Sequence, residues 1–401
     1  MLGTIIGDIV GSRWEFNPTN DYNFELFSDK NGYTDDTICT VAVADALLHG
    51  SDDYGNYIHK WCRKYPHPMG GYGGRFAKWV RSDNPQPYKS FGNGAAMRVS
   101  PVAWAAHDLE FKYLIGMAEK TAACTHSHPE GIKGAQTVAL AIKYGIELPV
   151  FHPNFSQEHI KELTETCANR AGYNINIRKE DVINRFDETC QGTVPVALWI
   201  INQSTSFEDA IRKAVSLGAD ADTLGAIVGS IAEAIWGIPE DMQTKALEYL
   251  PMEMTNVLLL FCSRYIRDSY ILKIPHLSNI EAFSQKYIDY FINEFERNSP
   301  SYYNLFESQE FPDACRALGF DMDCGESFIS KYGEEAWRSV EGLTTVIDKI
   351  DDIKLIGSAL FSQWRYYNHW SYSDATDKDK EWFLMLLKRL RSLAITQNSV
   401  L

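Results

Sequence analysis

Apolar residues in the first two-thirds of the chain recur mainly at the spacing of helices. One apolar run follows Thr37 and reaches Leu48, and a second begins after Gly131 and follows the i, i+3, i+4 rule. A third run has the same spacing at Leu224, Ile227, Val228, Ile231 and Ile235. Alternating apolar and polar positions, which are typical of strands, are hard to find. The pattern therefore predicts an all-α fold with long connections between its helices.

Glycine recurs at every fourth residue in two places within this helical pattern. Gly3, Gly7 and Gly11 form the first set, and Gly225 and Gly229 repeat the spacing. Glycine costs a helix interior about 1 kcal/mol relative to alanine, so its repetition on one helix face needs a compensating reason. Close approach of another helix supplies that reason, and we interpret both sets as packing surfaces rather than catalytic ones.

The chain is predicted to contain two domains. The glycine and aspartate motifs stop near residue 266, and the remaining residues carry a helical pattern of their own, which includes Ile353, Ile356, Leu360, Phe361, Trp364 and Tyr367. The prediction is a larger catalytic domain at residues 1–266 and a smaller, mainly helical accessory domain at residues 267–401. The polar stretch at residues 145–181 is interpreted as an elaborated connection between helices.

The composition narrows the possible functions. The 401 residues carry a formal net charge of -15, which argues against general nucleic-acid binding, because phosphate contacts need clustered lysine and arginine. A nucleotide ligand stays open. The eight cysteines are scattered and form no C-x-x-C pair, which favours a reducing compartment. We find neither a secretory leader nor an uninterrupted apolar stretch of about 18 residues, so a cytoplasmic protein without a membrane span is expected.

Two short acidic segments carry the strongest chemical signal. Residues 33–37 read Tyr-Thr-Asp-Asp-Thr, residues 218–223 read Gly-Ala-Asp-Ala-Asp-Thr, and each directly precedes an apolar helical run. Helix capping explains one Asp or Thr at each place, but it does not explain paired carboxylates that repel each other. Mg²⁺ and Mn²⁺ prefer oxygen ligands, and four Asp with two Thr could hold two such ions roughly 3.5–4 Å apart. A dinuclear metal site is therefore favoured over capping.

Other polar features are weaker signals when each is taken alone. His126 and His128 could suggest zinc, but a zinc site normally uses more His and Cys ligands. His126 could instead contact a sugar or phosphate oxygen of a ligand, or it could have a structural role. Glycine-rich segments at residues 70–74 and 92–98 expose backbone N–H groups that can approach phosphate, although tight turns explain them as well. Glu15 is a candidate for proton transfer at a glycosidic bond.

Taken together, five motifs resemble the ADP-ribosylglycohydrolase family, the group that includes dinitrogenase reductase-activating glycohydrolase. They are Gly7-Asp8-Ile9-Val10-Gly11 with Glu15 downstream, residues 33–37, residues 92–98 (Gly-Asn-Gly-Ala-Ala-Met-Arg), His126 with Gly131, and residues 218–225. The motifs occur in the family's order over roughly residues 1–262. The resemblance implies an orthogonal multi-helix bundle with a dinuclear Mg²⁺ or Mn²⁺ centre. Residues 267–401 lie outside the family's usual extent and resemble a bacterial domain of unknown function.

The resemblance also implies roles for individual residues. Two Mg²⁺ (or Mn²⁺) ions would be held by Thr34, Asp35, Asp36, Asp220, Asp222 and Thr223. Substrate contacts to ribose and diphosphate are implied for Gly73, Gly74, Gly92, Asn93, Gly94 and His126. Family members differ in the acid that transfers protons, so the candidate catalytic residues are Glu15, Asp35, Asp36 and Asp222.

The function implied by the resemblance is hydrolysis of the glycosidic bond between ADP-ribose and a modified acceptor. The acceptor would be a protein side chain, a nucleic acid or a small molecule, and ADP-ribose would be the product. Two alternatives stay open, namely a non-catalytic ADP-ribose-binding module and a dinuclear metallohydrolase that acts on another phosphate ester or glycoside. Complete metal-ligand positions argue against the first alternative, and the Gly-Asn-Gly and His126 motifs argue against the second.

Overall fold

The computed structural model of the protein describes residues 1–266, 283–289, 310–318, 320, 325–369 and 377–398. Within these ranges the chain is helical and contains no β-strand, apart from one isolated bridge between Gly92 and Thr189. The all-α prediction is therefore confirmed. The chain forms two compact units, Met1–Leu258 and Leu259–Leu401. Residue 267, where the second predicted domain begins, lies outside the described residues, and the assignment of a catalytic and an accessory domain stays a prediction.

Fifteen α-helices occupy the chain up to residue 266. They are α1 (Leu2–Ser12), α2 (Asp35–Leu48), α3 (Tyr54–Lys64), α4 (Gly74–Arg81), α5 (Gly94–Met97), α6 (Ser100–Ala105), α7 (Phe111–Ala123), α8 (Pro129–Phe151), α9 (Gln157–Ala171), α10 (Lys179–Val182), α11 (Cys190–Asn202), α12 (Phe207–Val215), α13 (Ala221–Trp236), α14 (Glu240–Leu247) and α15 (Met252–Tyr265). Capping side chains fix several starts, since Thr34, Thr189 and Ser206 each accept a hydrogen bond from a backbone N–H two or three residues later.

Two glycine-rich helices, α1 and α13, pack directly against each other in the core of the first unit. A Cβ atom on Gly7 would overlap the backbone carbonyl of Gly225, and a Cβ atom on Gly11 would overlap that of Ala221. Every residue of α1 is buried, as expected of a helix that is enclosed on all sides. The predicted packing role of the glycines is confirmed. Their contact also sets the start of α13 against the end of α1, where the acidic residues lie.

The stretch at residues 145–181 is more helical than predicted. Helix α8 continues to Phe151, and α9 occupies Gln157–Ala171, so the interpretation of this stretch as a connection was wrong. Pro149 lies in the last turn of α8, where one missing backbone hydrogen bond does not end the helix. The polar composition of α9 hides a narrow apolar stripe at helical spacing, which buries Ile160, Leu163, Thr164, Cys167 and Ala168.

The unit Leu259–Leu401 has a helical core of its own. Its described helices include Glu310–Ala317, Glu326–Tyr332, Glu334–Arg338, Val340–Val346, Ile353–His369 and Asp377–Asn398, with a 3₁₀ turn at Ile347–Lys349. The predicted apolar positions Ile353, Ile356, Leu360, Phe361 and Trp364 are buried, whereas the side chain of Tyr367 lies outside the described residues. Aromatic side chains such as Phe311, Phe328 and Phe383 belong to the same buried cluster. Most described aromatics of this unit therefore serve packing.

Cysteine state and membrane topology were also predicted from the sequence. Seven cysteines lie in the described part of the chain and form no disulfide bond there, and Cys324 lies outside it. The sulfur atoms of Cys39 and Cys62 lie 3.8 Å apart, at hydrogen-bond distance, and form no disulfide bond. No described helix has the length and apolar character needed to cross a bilayer. The predicted cytoplasmic location stays a prediction.

Candidate active site

The first acidic segment begins helix α2. Thr34 is the N-cap, and its hydroxyl oxygen accepts a 3.3 Å hydrogen bond from the backbone N–H of Asp36. Asp35 and Asp36 lie in the first turn, where Asp36 is buried and Asp35 is partly exposed. Thr34 thus supplies the cap that the helix needs, and capping does not account for the two carboxylates.

The second acidic segment begins helix α13. Asp220 occupies the N-cap position without making a side-chain capping bond, and its Oδ2 instead accepts a 2.7 Å hydrogen bond from the Asn93 side-chain amide. Asp222 lies in the first turn, and its Oδ1 accepts a 2.9 Å hydrogen bond from the backbone N–H of Thr223. All three residues of α13's start, Asp220, Asp222 and Thr223, are buried. Their polar atoms face a site inside the protein, not the solvent.

The two acidic segments meet in space. The Thr223 hydroxyl donates to Oδ2 of Asp36 at 3.2 Å, although the two residues are separated by 187 positions in the sequence. Carboxylate oxygens of Glu15, Asp220 and Asp222 lie within 4.8 Å of one another. The residues brought into this acidic cluster are Glu15, Thr34, Asp35, Asp36, Asp220, Asp222 and Thr223. Their roles as metal ligands and catalytic acids stay predictions.

Asp8 is a further member of the cluster, and its role was not predicted from the sequence. Its Oδ2 accepts hydrogen bonds from the backbone N–H groups of Thr34 (3.0 Å) and Thr37 (3.1 Å) and from the Thr37 hydroxyl (2.5 Å). The α1 carboxylate therefore satisfies orphan donors at the start of α2, and it fixes the first acidic turn against α1. The signal in the sequence that could have revealed this role is a single aspartate in a helix of mostly apolar residues, because a charged side chain is rarely buried without a partner.

Burial raises the pKa of the carboxyl groups in the acidic cluster. The pKa of Asp8 and that of Asp220 rise to about 6, that of Asp35 rises to about 7, and that of Glu15 rises to about 8. Burial is the largest cause at each residue, and the negative charges of neighbouring carboxylates add to it at Asp35 and Glu15. Several acids are thus held together in a poorly solvated space, where neither water nor positive groups offset their negative charges sufficiently.

The cluster has the chemistry that hard divalent cations require. Burial, followed by the charges of neighbouring acids, also raises the pKa of Asp36 and of Asp222 well above the usual range. The Oδ1 atoms of Asp8 and Asp36 are buried and have no hydrogen-bond partner, which is costly for a carboxylate unless something binds it. Carboxylate and hydroxyl oxygens are the ligands that Mg²⁺ and Mn²⁺ prefer. The residues therefore fit such ions, and the choice between the two metals stays a prediction.

The raised pKa values predict how Mg²⁺ stabilisation depends on pH. In the folded protein Asp8, Asp35, Asp220 and Glu15 keep protons that the unfolded chain loses near pH 4. This preferential proton binding stabilises the folded state fully below about pH 4, and the stabilisation is lost as pH rises through about 6 to 8. Mg²⁺ competes with these protons, so its stabilising effect should be larger at about pH 8 than at about pH 5.

Thermal unfolding with and without Mg²⁺ at the two pH values checks this prediction. At a Mg²⁺ concentration about 100 times its dissociation constant, the gain in unfolding free energy should be about 2.7 kcal/mol at the higher pH. NaCl at equal ionic strength controls for general screening of the acidic surface. An equal gain at both pH values, or a larger one at the lower pH, contradicts the prediction.

The Gly92–Gly94 segment lies next to the acidic cluster, and Asn93 is part of its polar network. The Asn93 amide donates to Asp220 and, at 3.1 Å, to the Thr193 hydroxyl. Both of its side-chain N–H groups are thus used inside the protein. The predicted substrate contact of Asn93 stays a prediction, and the structure adds a different role, namely that Asn93 orients the Asp220 carboxylate. That role was missed because the partner residue is distant in sequence.

The other glycine-rich segment, residues 70–74, lies beside Glu15. A Cβ atom on Gly70 would overlap the Glu15 carboxylate, and Gly70 also has a positive φ of 75°, a conformation that favours glycine. Gly73 and Gly74 are exposed at the start of α4, with open space where side chains would be. Their backbone groups are accessible, as the predicted substrate contact requires, and that contact stays a prediction.

His126 is buried and its Nε2 atom lies against the Gly92–Gly94 segment. A Cβ atom on Gly94 would stand 3.1 Å from this nitrogen. In the described residues, the one cluster of three or more His, Cys, Asp or Glu side chains that could hold a metal contains no histidine. The geometry therefore gives no support to a zinc site at His126 and His128. It places His126 beside the Gly92–Gly94 segment, which is also predicted to bind substrate.

Comparisons with known proteins agree with the motifs. The model of the family described as ADP-ribosylglycohydrolase matches residues 1–268. ADP-ribosylarginine hydrolase Tri1 of Pseudomonas putida is 26% identical over 269 residues, which cover 59% of this chain and 70% of that protein. ADP-ribosylhydrolase ARH3 of Mus musculus is 24% identical over 342 residues, covering 67% of this chain and 91% of that protein.

A solved structure is also similar. The structure titled ADP-ribosylglycohydrolase-related protein complex has 23% sequence identity and a TM-score of 0.44, and the match covers 62% of this chain and 94% of that one.

Proposed function

Since the chain belongs to the ADP-ribosylglycohydrolase family, we propose that it hydrolyses the glycosidic bond between ADP-ribose and a modified acceptor with the help of two Mg²⁺ or Mn²⁺ ions. Its relatives are named as hydrolases of ADP-ribosylated compounds, and the chain is an enzyme of this glycohydrolase type. The proposed partners are ADP-ribosylated proteins, nucleic acids or small molecules, with ADP-ribose as the product.

One observation supports this proposal most strongly, namely the hydrogen bond between Thr223 and Asp36. It joins the starts of α2 and α13, so the two acidic segments form one site. The residues proposed to hold the ions are Thr34, Asp35, Asp36, Asp220, Asp222 and Thr223. Ions bound there would supply Lewis-acid activation of water and of substrate oxygens.

The chain's own acids must move protons when the glycosidic bond breaks, because the leaving acceptor takes up a proton. Glu15 suits this role by its place, since one of its carboxylate oxygens lies within 4.8 Å of those of Asp220 and Asp222, and Glu15 is not among the residues proposed to hold the ions. Asp35, Asp36 and Asp222 compete with Glu15 for this assignment.

Backbone and imidazole groups are proposed to bind the ADP-ribose moiety. The N–H groups of Gly73 and Gly74 at the exposed start of α4, and those of Gly92 and Gly94, would approach ribose and diphosphate oxygens. His126 would contribute from the buried side of the second segment. These contacts would hold the anomeric carbon over the acidic cluster, and positioning of that kind supplies a large part of the rate enhancement in many enzymes.

A panel of ADP-ribosylated acceptors tests the proposed function. The enzyme is incubated with ADP-ribosyl-arginine, ADP-ribosyl-serine, ADP-ribosylated nucleic-acid ends and a small ADP-ribosyl ester, with Mg²⁺ or with a chelator, and free ADP-ribose is measured. Mg²⁺-dependent release from at least one acceptor is expected. Binding of ADP-ribose without release from any acceptor indicates a binding module. Hydrolysis of unrelated phosphate esters instead of these compounds indicates another metallohydrolase.

A further inference from the structure

Three buried side chains form a hydrogen-bonded relay that ends at His126. The Arg98 guanidinium donates through NH2 to the Thr125 hydroxyl at 2.7 Å, and the Thr125 hydroxyl lies 2.7 Å from Nδ1 of His126. The exposed fractions are 1% for Arg98, 0% for Thr125 and 6% for His126. Water therefore has little access to the relay, and its hydrogen bonds have to be satisfied within the protein.

The direction of each hydrogen bond follows from the chemistry of the donors. A guanidinium can only donate, so the Thr125 oxygen accepts from Arg98. The Thr125 hydroxyl still has its own hydrogen, and the Nδ1 atom of His126 lies at a suitable distance to accept it. Nδ1 is then an acceptor without a proton, and in a neutral imidazole the proton must be on Nε2.

The opposite arrangement is less favourable. If Nδ1 of His126 carried the proton, the Thr125 oxygen would accept two hydrogen bonds and its own hydrogen would need another acceptor. The Cys124 sulfur, which is the other side-chain neighbour of the Thr125 hydroxyl, is a weak acceptor. A charged imidazole is also unfavourable, because burial and then the positive charges of Arg98 and Arg75 lower the pKa of His126 well below its usual range.

The Nε2–H group has a defined direction. A Cβ atom on Gly94 would stand 3.1 Å from Nε2, and one on Gly92 would stand 3.4 Å away. Within the described part of the chain no group accepts a hydrogen bond from Nε2. Because neither residue has a side chain, none covers this donor, and both glycines belong to the segment that contacts the acidic cluster through Asn93.

We propose that Arg98 and Thr125 are positioning residues that lock His126 in the neutral Nε2–H tautomer. His126 then acts as a fixed hydrogen-bond donor to an oxygen of the substrate, and it does not act as a proton-transferring base. The identity of the substrate oxygen, which would belong to the ADP-ribose moiety, rests on the proposed function. The tautomer itself rests on the relay alone.

Nitrogen-detected NMR of the full-length Mg²⁺-loaded protein with ¹⁵N-labelled histidine tests the tautomer. The His126→Gln variant identifies the His126 signals. Between about pH 5 and about pH 8, where an ordinary imidazole titrates, His126 should show a protonated Nε2 and a bare Nδ1 without change. A protonated Nδ1, or a doubly protonated ring in this range, overturns the proposal.

Variants at Thr125 test whether the relay is the cause. Thr125→Val removes the hydroxyl and should let His126 populate both tautomers, whereas Thr125→Ser keeps the hydroxyl and should preserve Nε2–H. Thr164→Val is the matched control, because Thr164 is also fully buried but its hydroxyl donates only to the backbone carbonyl of Lys161. An unchanged tautomer in folded Thr125→Val refutes the relay. If that variant fails to fold, the wild-type and Thr125→Ser spectra still decide the question.

Binding and kinetics test what the donor does. With ADP-ribose as the probe, calorimetry should show about tenfold weaker binding for Thr125→Val and unchanged binding for Thr125→Ser and Thr164→Val. For the accepted substrate, KM should rise while kcat and its pH profile stay unchanged. Loss of a pH limb in kcat would instead show that His126 transfers protons. A locked tautomer in a protein that does not bind ADP-ribose would contradict the proposed function and the assigned ligand, and it would leave the relay intact.

Discussion

Replacing Asp222 with asparagine is expected to lower the rate of ADP-ribose release more than about 100-fold and to weaken Mg²⁺ binding by a similar factor. Loss of a residue that only hydrogen-bonds to a metal ligand typically costs about 10–100-fold, and Asp222 is proposed to bind an ion directly. Asparagine keeps the carbonyl oxygen that accepts the 2.9 Å hydrogen bond from Thr223, so the start of α13 should stay folded. Release assays and calorimetric Mg²⁺ titration measure the two effects.

The matched control for Asp222→Asn is Asp241→Asn. Asp241 also lies in the first turn of a helix, α14, but it is exposed. Its substitution should leave both release and Mg²⁺ affinity unchanged. If Asp222→Asn retains wild-type release while its fold is intact, Asp222 does not hold an ion on which the reaction depends.

Replacing Gly7 with alanine is expected to destabilise the first unit by about 3 kcal/mol, the upper end of what one added methyl group usually costs in a tightly packed core. The new Cβ atom would overlap the carbonyl group of Gly225, and backbone atoms cannot move aside as a flexible side chain can. Because Asp8 is the next residue and α13 carries Asp222, the separation of the two helices should also weaken Mg²⁺ binding. Thermal unfolding should show a midpoint lower by roughly 6–12 °C.

Gly116→Ala is the control for Gly7→Ala. Gly116 lies inside α7, and an added Cβ atom would meet nothing within 4 Å. Alanine is the better helix former by about 1 kcal/mol, so this variant should be as stable as the wild type or more stable. Equal stability of Gly7→Ala and wild type would show that the close contact between α1 and α13 does not support the fold.

Local patterns were sufficient to predict the helical parts of the site. The acidic segments at residues 33–37 and 218–223 lie at the starts of α2 and α13 as their position before apolar runs indicated, because N-terminal signals act over a few residues. The glycines at every fourth position of α1 were correctly interpreted as packing residues. The same spacing did not reveal the partner helix, since one sequence contains no information on which distant segments touch.

The features that were missed depend on contacts between distant segments. Asp8 satisfies the start of α2 and Asn93 orients Asp220, and the residues nearby do not identify the partner in either contact. Helix α9 was missed for a different reason, since its buried stripe is narrow and polar residues dominate its composition. The convergence of the acidic segments was inferred only from their chemical similarity, and the Thr223–Asp36 hydrogen bond supplies the physical link.

The two acidic turns are proposed to hold a pair of divalent cations together. Anomalous diffraction from a crystal of the protein grown with Mn²⁺ tests it most directly, because Mn²⁺ accepts the same oxygen ligands as Mg²⁺ and its position is found without reference to the surrounding atoms. The account predicts two anomalous peaks, roughly 3.5–4 Å apart, bounded by residues 34–36 on one side and residues 220–223 on the other. The absence of an anomalous peak between these two turns would contradict it, whether or not Mn²⁺ is bound elsewhere in the crystal.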